Sequence, residues 1–164
     1  MSAIATGIGY DCHRFAAGRR MVLGGVEIAH EHGLAGHSDA DVLTHAIIDA
    51  LLGAAALGDI GEHFPDTDER YRDADSLELL RAAAALLAAR GITIRHIDAT
   101  VLLERPKLAP VRGEIRMRLA AALGLEVARV SVKATRGEGL GFVGRAEGAA
   151  ALAVATVERL QPEA

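Results

Sequence analysis

The sequence predicts one domain of the α/β or α+β class, organised on a single mixed sheet. Three observations carry this. Strand-like runs with alternating side chains are interleaved with capped segments of helical pattern. No linker, repeat or composition break divides the 164 residues, a length that supports one domain with a real core. Apolar residues make up 51% of the chain, while aromatics make up 3% and Trp is absent, so the core is built from Ala, Leu, Val and Ile. Such thin side chains bury less area per residue, which makes subunit association a natural supplement.

The elements follow in order. Ala3 to Tyr10 alternates small residues with Ile4, Thr6, Ile8 and Tyr10 and reads as a strand. Met21 to Ile28 carries a Gly24-Gly25 pair between short apolar runs, a hairpin signal. Ser38 is the expected N-cap of a helix through Leu52, with Asp39 and Asp41 in its first turn, where carboxylates suit the helix dipole. Gly58 to Ala74 is acidic, has little apolar periodicity and reads as a long loop of the lid or binding kind. Asp75-x-x-Glu78 has the form of a capping box and opens a helix that stops at Gly91. Ile92 to Leu103 reads as a strand. Pro110 to Leu123 reads as a helix, with Pro110 in its first turn and Gly124 past its end. Val127 to Thr135 is a strand and Gly137 to Gly148 a glycine-rich loop. Ala149 to Leu160 is ambiguous: its alternation fits a strand, its Ala and Glu content a helix.

The net charge of −4 argues against a nucleic-acid binder, which usually presents a basic face, but leaves a phosphorylated small molecule open as substrate. Cys12 is the one cysteine, so no internal disulfide forms and a reducing compartment fits. No stretch reaches the ~20 apolar residues of a membrane span, and no early segment has signal-peptide flanks. The expectation is a cytoplasmic protein with neither nucleic acid nor membrane as partner.

Four constellations carry candidate chemistry. Asp11 and His13 are two apart and share one side of an extended strand. His45 lies four after Asp41 and eight after His37, spacings that place all three near one face of a helix. Asp11, His13 and His45 can therefore converge as a carboxylate and two imidazoles, a three-ligand set with an open position, the pattern of catalytic zinc. The alternative is a strand and a capped helix with one buried histidine. His30-Glu31-His32 repeats the spacing in a polar stretch and reads better as a solvated loop. Cys12 reads as a small buried hydrophobe.

Asp59 to Asp68 offers carboxylates for sugar hydroxyls or a hard cation, although its composition alone favours a solvated loop. Glu104 to Pro110 fixes its backbone with two prolines and offers Lys107 to a phosphate, or is a charged surface turn. Lys133 to Arg145 combines glycines, which let N–H groups approach an anion, with Lys133, Arg136 and Arg145, and Glu138 is a candidate for a second, oxygen-liking metal. It is not a Walker A sequence.

These motifs occur together and in order: Gly9-Tyr10-Asp11-Cys12-His13, Gly36-His37-Ser38-Asp39-Ala40-Asp41, His45-Ala46, Asp49 to Ala54, Gly58-Asp59-Ile60-Gly61, Phe64 to Asp68, Ala74-Asp75-Ser76, Lys133-Ala134-Thr135 and Leu140-Gly141-Phe142. Through them the chain resembles the 2-C-methyl-D-erythritol 2,4-cyclodiphosphate synthase family of the non-mevalonate isoprenoid pathway, from about Ile8 to the C-terminus.

The resemblance implies an α+β domain over residues 1–164, with a four-stranded mixed sheet covered by helices on one side. It implies a homotrimer around a central channel, with active sites shared between adjacent subunits. It makes the last segment a strand. It implies zinc, one per subunit, on Asp11, His13 and His45, with Asp11 and His13 also against the substrate. Magnesium or manganese would sit with the diphosphate at Glu138. His37 and Ser38 take a phosphate. Asp59, Ile60 and Gly61, with Phe64, Pro65, Asp66, Thr67 and Asp68, hold the methylerythritol hydroxyls. Leu103, Pro106, Lys107, Leu108 and Ala109 form the cytidine pocket with Thr135. Arg136, Gly137, Glu138, Phe142 and Arg145 are further substrate contacts. His37 and Arg136 occupy the catalytic positions.

Three departures stand out: Arg136 replaces a usual Thr, Gly137 a Thr or Ser, and Leu103 an Ala. His30, His32 and His63 match no functional position. The implied reaction is a phosphorus–oxygen lyase step. In it, 4-diphosphocytidyl-2-C-methyl-D-erythritol 2-phosphate cyclises to the 2,4-cyclodiphosphate and CMP. A zinc-dependent phosphohydrolase, or a non-catalytic trimer with an isoprenoid diphosphate in its channel, are the competing readings.

Overall fold

β1 (Ser2–Ala17) is the longest element of the computed structural model, which describes residues 2–160. It extends well past the expected end at Tyr10. The hairpin β2 (Met21–Leu23) and β3 (Val26–Ile28) follows, then β4 (His32–Leu34), α1 (Val42–Ala54), α2 (Ile60–His63) and a 3-10 turn at Glu69–Tyr71. Next come α3 (Ser76–Ala88), β5 (Ile92–Leu102), α4 (Arg112–Leu123), a second 3-10 turn at Val127–Arg129, β6 (Val130–Thr135), α5 (Gly141–Gly144) and β7 (Gly148–Leu160). Residues 1 and 161–164 of the expected domain lie outside the described residues.

The main sheet has the order β4-β1-β7-β5-β6. β1 pairs antiparallel with β4 and β7, β7 antiparallel with β5, and β5 parallel with β6. The sheet is mixed, as expected, but five-stranded rather than four. The fifth strand is β4, where Leu34, Gly33 and His32 pair with Phe15, Ala16 and Ala17. Three residues around a glycine carry no legible alternation. Their pairing is decided by the length of β1. The solvated loop expected at His30 to His32 is therefore partly a strand, and the His30 ring packs on Phe15 with centroids 5.5 Å apart.

One face of the sheet is buried. Ile97, Ala99 and Val101 of β5 pair with Ala155, Ala153 and Ala151 of β7, and all six are buried with Val130 and Val132 of β6. α1 packs over β1, β7 and β5, while α3 and α4 cover β5 and β6. The other face leaves Ile8, Tyr10, Leu152 and Val154 exposed. β7 is a strand despite its alanines because every second one faces α1. A larger side chain there would hold the helix away. Cys12 is exposed, not a small buried hydrophobe: on β1 it points opposite to Asp11 and His13, onto the uncovered face.

The approach of α1 to β1 is set by Gly7 and Gly9. A Cβ on Gly9 would lie 1.9 Å from the Ala46 carbonyl oxygen, and one on Gly7 2.2 Å from that of Ala50. The helix backbone thus rests directly on the strand.

α1 begins at Val42, capped by Asp41 and not by Ser38. Ala40 takes a left-handed φ of 57° and turns the chain out of the helical path. His37, Ser38 and Asp39 consequently precede the helix. The Asp41 carboxylate is buried, accepts Thr44 N–H at 3.0 Å, Thr44 Oγ1–H at 2.7 Å and Gly25 N–H at 2.8 Å, and so ties the β2–β3 hairpin to α1. Burial pushes its pKa up, and the charge of Asp39 adds to this. Asp41→Ala leaves three donors without an acceptor and is expected to cost about 2 kcal/mol. Thermal denaturation should show a fall in Tm of roughly 4–8 °C, and Asp41→Asn, which keeps an acceptor oxygen, a smaller one.

The remaining boundaries shift for local reasons. Asp75 caps α3 through Leu77 N–H, and Glu78 pairs with Arg81 instead of closing a capping box. Pro110 lies before α4, whose end at left-handed Gly124 is as expected. Val127 to Arg129 form a 3-10 turn ahead of β6, and the acidic loop contains α2 and the first 3-10 turn.

Candidate functional site

β1 presents Asp11 and His13 on its helix-facing side, and α1 brings His45, the neighbour of the Ala46 that meets Gly9, down onto them. Asp11 Oδ2 lies 2.9 Å from His13 Nε2 and 3.0 Å from His45 Nδ1, and the two nitrogens are 3.5 Å apart. The two rings meet edge to face with centroids 5.6 Å apart. Three ligand atoms within 4.8 Å of one another form the one such group among the described residues. Burial acts to raise the Asp11 carboxyl, but the hydrogen bonds and charge of His13 and His45 outweigh it and hold its pKa at about 2. Burial likewise acts to lower His45, and the Asp11 carboxylate overrides it and raises the pKa.

The donor set suits a divalent metal. One carboxylate oxygen and two imidazole nitrogens converge, and the far nitrogen of His45 is already engaged, 2.8 Å from Ser76 Oγ and 3.2 Å from Ser38 Oγ. Gly36 closes over the other histidine, where a Cβ would stand 3.2 Å from His13 Cε1. The pocket fits around its ligands before any ion is added.

Several expected substrate residues gather beside this triad. Ser38 touches His45, and the backbone carbonyl of His37 accepts Asp73 N–H at 2.9 Å. Asp59 caps α2 through Glu62 N–H at 3.0 Å. Asp49, one helical turn past His45, accepts Ile60 N–H at 2.8 Å and docks the segment Asp59 to Gly61 against α1. Phe64 packs edge to face on Tyr71 with centroids 5.6 Å apart, which anchors the run to Asp68, while Asp66 and Thr67 are exposed. The acidic stretch is thus a docked segment rather than a free loop.

The other candidates form a second cluster. Leu103 N–H donates to the Thr135 carbonyl at 2.9 Å, and Gly137 N–H to Glu104 Oε2 at 2.9 Å. The side chains of Leu103 and Leu108 are buried, so this turn offers a ligand its backbone along with exposed Lys107 and Ala109. Arg136 lies between Glu104, at 3.4 Å, and Glu138, at 3.5 Å. Gly137 has a steric explanation: a Cβ there would meet Gly144 N at 2.3 Å, and a Thr or Ser would force this loop open. Arg145 pairs with Glu147 at 2.7 Å, and Lys133 with Asp98 at 2.5 Å on the neighbouring strand, so Lys133 is not poised for a phosphate. Phe142 shares a cleft of about 880 Å³ with His13, Arg14, Phe15, His30 and Arg105. No hydrogen bond or ion pair joins the second cluster to the triad among the described residues. A cleft lined by His13, Arg105 and Phe142 lies between them.

Asp39, Asp49 and Ser76 surround the triad, yet none had a role on sequence grounds. Each lies in a motif already quoted, and its contacts come from chain crossings that spacing does not reveal.

Fold and site together define a single-domain α+β protein with an Asp-His-His group suited to a divalent metal at a strand–helix junction. The chain belongs to the YgbB family, whose profile matches residues 4–158. It is 60% identical over 156 residues to the bifunctional enzyme IspD/IspF of Anaeromyxobacter dehalogenans, with 95% of this chain and 40% of that protein covered. It is 59% identical over 152 residues to the 2-C-methyl-D-erythritol 2,4-cyclodiphosphate synthase of Chlorobaculum tepidum, with 93% of this chain and 97% of that protein covered. The chain therefore spans about two fifths of the bifunctional relative and nearly all of the single-activity one. Among solved structures, a 2C-methyl-D-erythritol-2,4-cyclodiphosphate synthase in its CDP-bound form superposes with a TM-score of 0.85 at 38% identity, covering 93% of this chain and 99% of that one.

Proposed function

We propose that this chain converts 4-diphosphocytidyl-2-C-methyl-D-erythritol 2-phosphate to the 2,4-cyclodiphosphate and CMP. The convergence of Asp11, His13 and His45 beside Ser38, in a chain so similar to synthases of this name, carries the reading. An oxygen of the 2-phosphate bonds to the β-phosphorus. The bond from that phosphorus to the bridging oxygen breaks, and CMP leaves with the electron pair. The nucleophile is part of the substrate and largely dianionic near pH 7, so the reaction needs no side-chain nucleophile. The enzyme's task is to hold two anions in line and disperse the charge that moves to the leaving group.

Asp11 Oδ2, His13 Nε2 and His45 Nδ1 would hold zinc, by ligand type, and the ion supplies charge neutralisation for the phosphates. His37 and Ser38 donate hydrogen bonds to a phosphate. Asp59 to Gly61 and Phe64 to Asp68 hold the methylerythritol hydroxyls. The backbone from Leu103 to Ala109, with Pro106 and Lys107, receives the cytidine together with Thr135. Glu138 would hold magnesium or manganese, whose charge would offset that of the diphosphate, and Arg136, Gly137, Phe142 and Arg145 would complete the contacts. A cytosolic location accords with the single thiol, and no described helix is long and apolar enough to cross a membrane.

The reading includes a homotrimer in which one subunit's triad meets its neighbour's cytidine turn, and the lack of any described hydrogen bond or ion pair between the two clusters of one chain accords with it. The uncovered sheet face, with Ile8 71% and Ile4 61% exposed, suits the lining of a central channel with room for an isoprenoid diphosphate.

Phosphorus NMR of the product tests the reaction. Two coupled cyclic-diphosphate signals with stoichiometric CMP are expected. Inorganic phosphate as the product would instead establish the phosphohydrolase.

A further inference from the structure

The metal-type triad accounts for one nitrogen of His45. The other nitrogen points away from the cluster to a buried serine and, through it, to a carboxylate. His45 Nε2 lies 2.8 Å from Ser76 Oγ. Ser76 is fully buried at the first turn of α3. Its hydroxyl donates to Asp39 Oδ1, and its N–H donates to Asp39 Oδ2 at 2.9 Å. Asp39 is itself fixed: its Oδ1 accepts Asp41 N–H at 3.1 Å, and its N–H donates to the Ala74 carbonyl at 3.2 Å.

We infer that Asp39 and Ser76 are positioning residues that set the tautomer and orientation of His45. The direction of each bond follows from donor counting. An ionised carboxylate only accepts, so the single Ser76 hydroxyl proton goes to Asp39. The Ser76 oxygen then has lone pairs alone to offer His45, and Nε2 must carry the proton. In the neutral imidazole that leaves Nδ1 as the lone pair, 3.0 Å from Asp11 Oδ2 and 3.5 Å from His13 Nε2. A second proton on Nδ1 gives the imidazolium that hydrogen-bonds Asp11, and that is the proton a metal displaces. The chain Asp39–Ser76–His45 thus prepares the nitrogen that a metal needs, and a hydrogen-bonded outer partner also raises the basicity of a ligating imidazole.

The same count separates the two serines on Nε2. Its one proton goes to Ser76 at 2.8 Å. Ser38, at 3.2 Å and accepting Ala40 N–H at 3.3 Å, retains a hydroxyl proton to donate to a ligand. Ser76 therefore serves the metal ligand and Ser38 the substrate.

The inference rests on the metal reading of the triad, and its test keeps the two apart. Zinc affinity is measured by competition with a chromophoric chelator, beside the thermal stability of the metal-free proteins. Ser76→Ala is expected to bind zinc 10–100-fold more weakly than the parent, and Ser38→Ala to stay within about threefold, the size of an indirect effect. A role confined to the start of α3 would lower the metal-free Tm of Ser76→Ala and leave its zinc affinity within twofold of the parent, and that result overturns the inference alone. A parent that binds no divalent metal overturns the triad reading and the inference together. Should Ser76→Ala fail to fold, long-range 1H–15N correlation of the histidines in the metal-free parent, at a pH where His45 is neutral, decides. A proton on His45 Nε2 is expected, and a proton on Nδ1 overturns the assignment.

Discussion

His45→Ala is expected to abolish CMP release, with a loss of at least about a thousandfold, or roughly 4 kcal/mol of transition-state stabilisation. The imidazole contributes one of three converging donors, and its removal leaves Asp11 and His13 as a two-ligand pair that holds zinc poorly. Folding should survive. His45 is buried in the first turns of α1, but the helix is held by its Asp41 cap and by Leu43, Ile47 and Leu51, all fully buried. The triad also lies off the exposed face that carries Ile8, Tyr10 and Val154. Size-exclusion chromatography of the variant should match the parent while zinc content falls well below one per chain. CMP release at the parental rate from a zinc-depleted His45→Ala protein would refute the assignment of the reaction to this triad.

How much of this was legible in the sequence depends on whether a contact is local. Asp11 and His13 could be paired because a strand places alternate residues on one side, and their partner His45 was within reach of the same argument. The helix containing His45 was placed correctly, yet its start was not. Ser38, Asp39 and Asp41 are all good cap residues, and composition cannot rank them. The choice is made by Ala40, which is fully buried with φ at 57°, and by the distant Gly25 N–H that claims Asp41. His37 and Ser38 reach the site from the turn before the helix rather than from its face.

β4 was invisible for a related reason. His32, Gly33 and Leu34 have no strand pattern of their own and pair only because β1 runs on to Ala17. Composition leaves β7 ambiguous and the family resemblance makes it a strand; its physical basis is that Ala149, Ala151, Ala153 and Ala155 are buried on the side that α1 covers. The roles of Asp39, Asp49 and Ser76 depend on crossings between segments up to 37 residues apart, which no local rule reports. Gly137 shows the reverse case, a departure that looked functional in sequence and is steric in the fold.

Mixing two inactive variants should restore activity. In one chain, Asp11 on β1 and Val101 on β5 both pair with Ala151 of β7. The two flanking strands are therefore separated by about 10 Å across the sheet, and the turns after β5 and β6 lie beyond β5. Asp11 and His13 point toward α1, whereas Glu104 accepts from Gly137 N–H and Arg136 pairs with both Glu104 and Glu138 in those turns. A substrate that touches both clusters is best served by two subunits in a closed ring with head-to-tail contacts. His45→Ala destroys the first half-site and Glu138→Ala the second, so each homotrimer is expected to be nearly inactive. Co-expressed in equal amounts with different tags and purified through both, the chains assemble mixed rings. A site works when its triad comes from the Glu138→Ala chain and its pocket from the His45→Ala chain, which every mixed three-membered ring has at one of its three interfaces, about a third of sites. Activity near that fraction of the parent would be a rise of more than a hundredfold over either variant alone. Activity equal to the sum of the two variants would mean that each chain completes its own site, and the shared-site trimer would have to be abandoned.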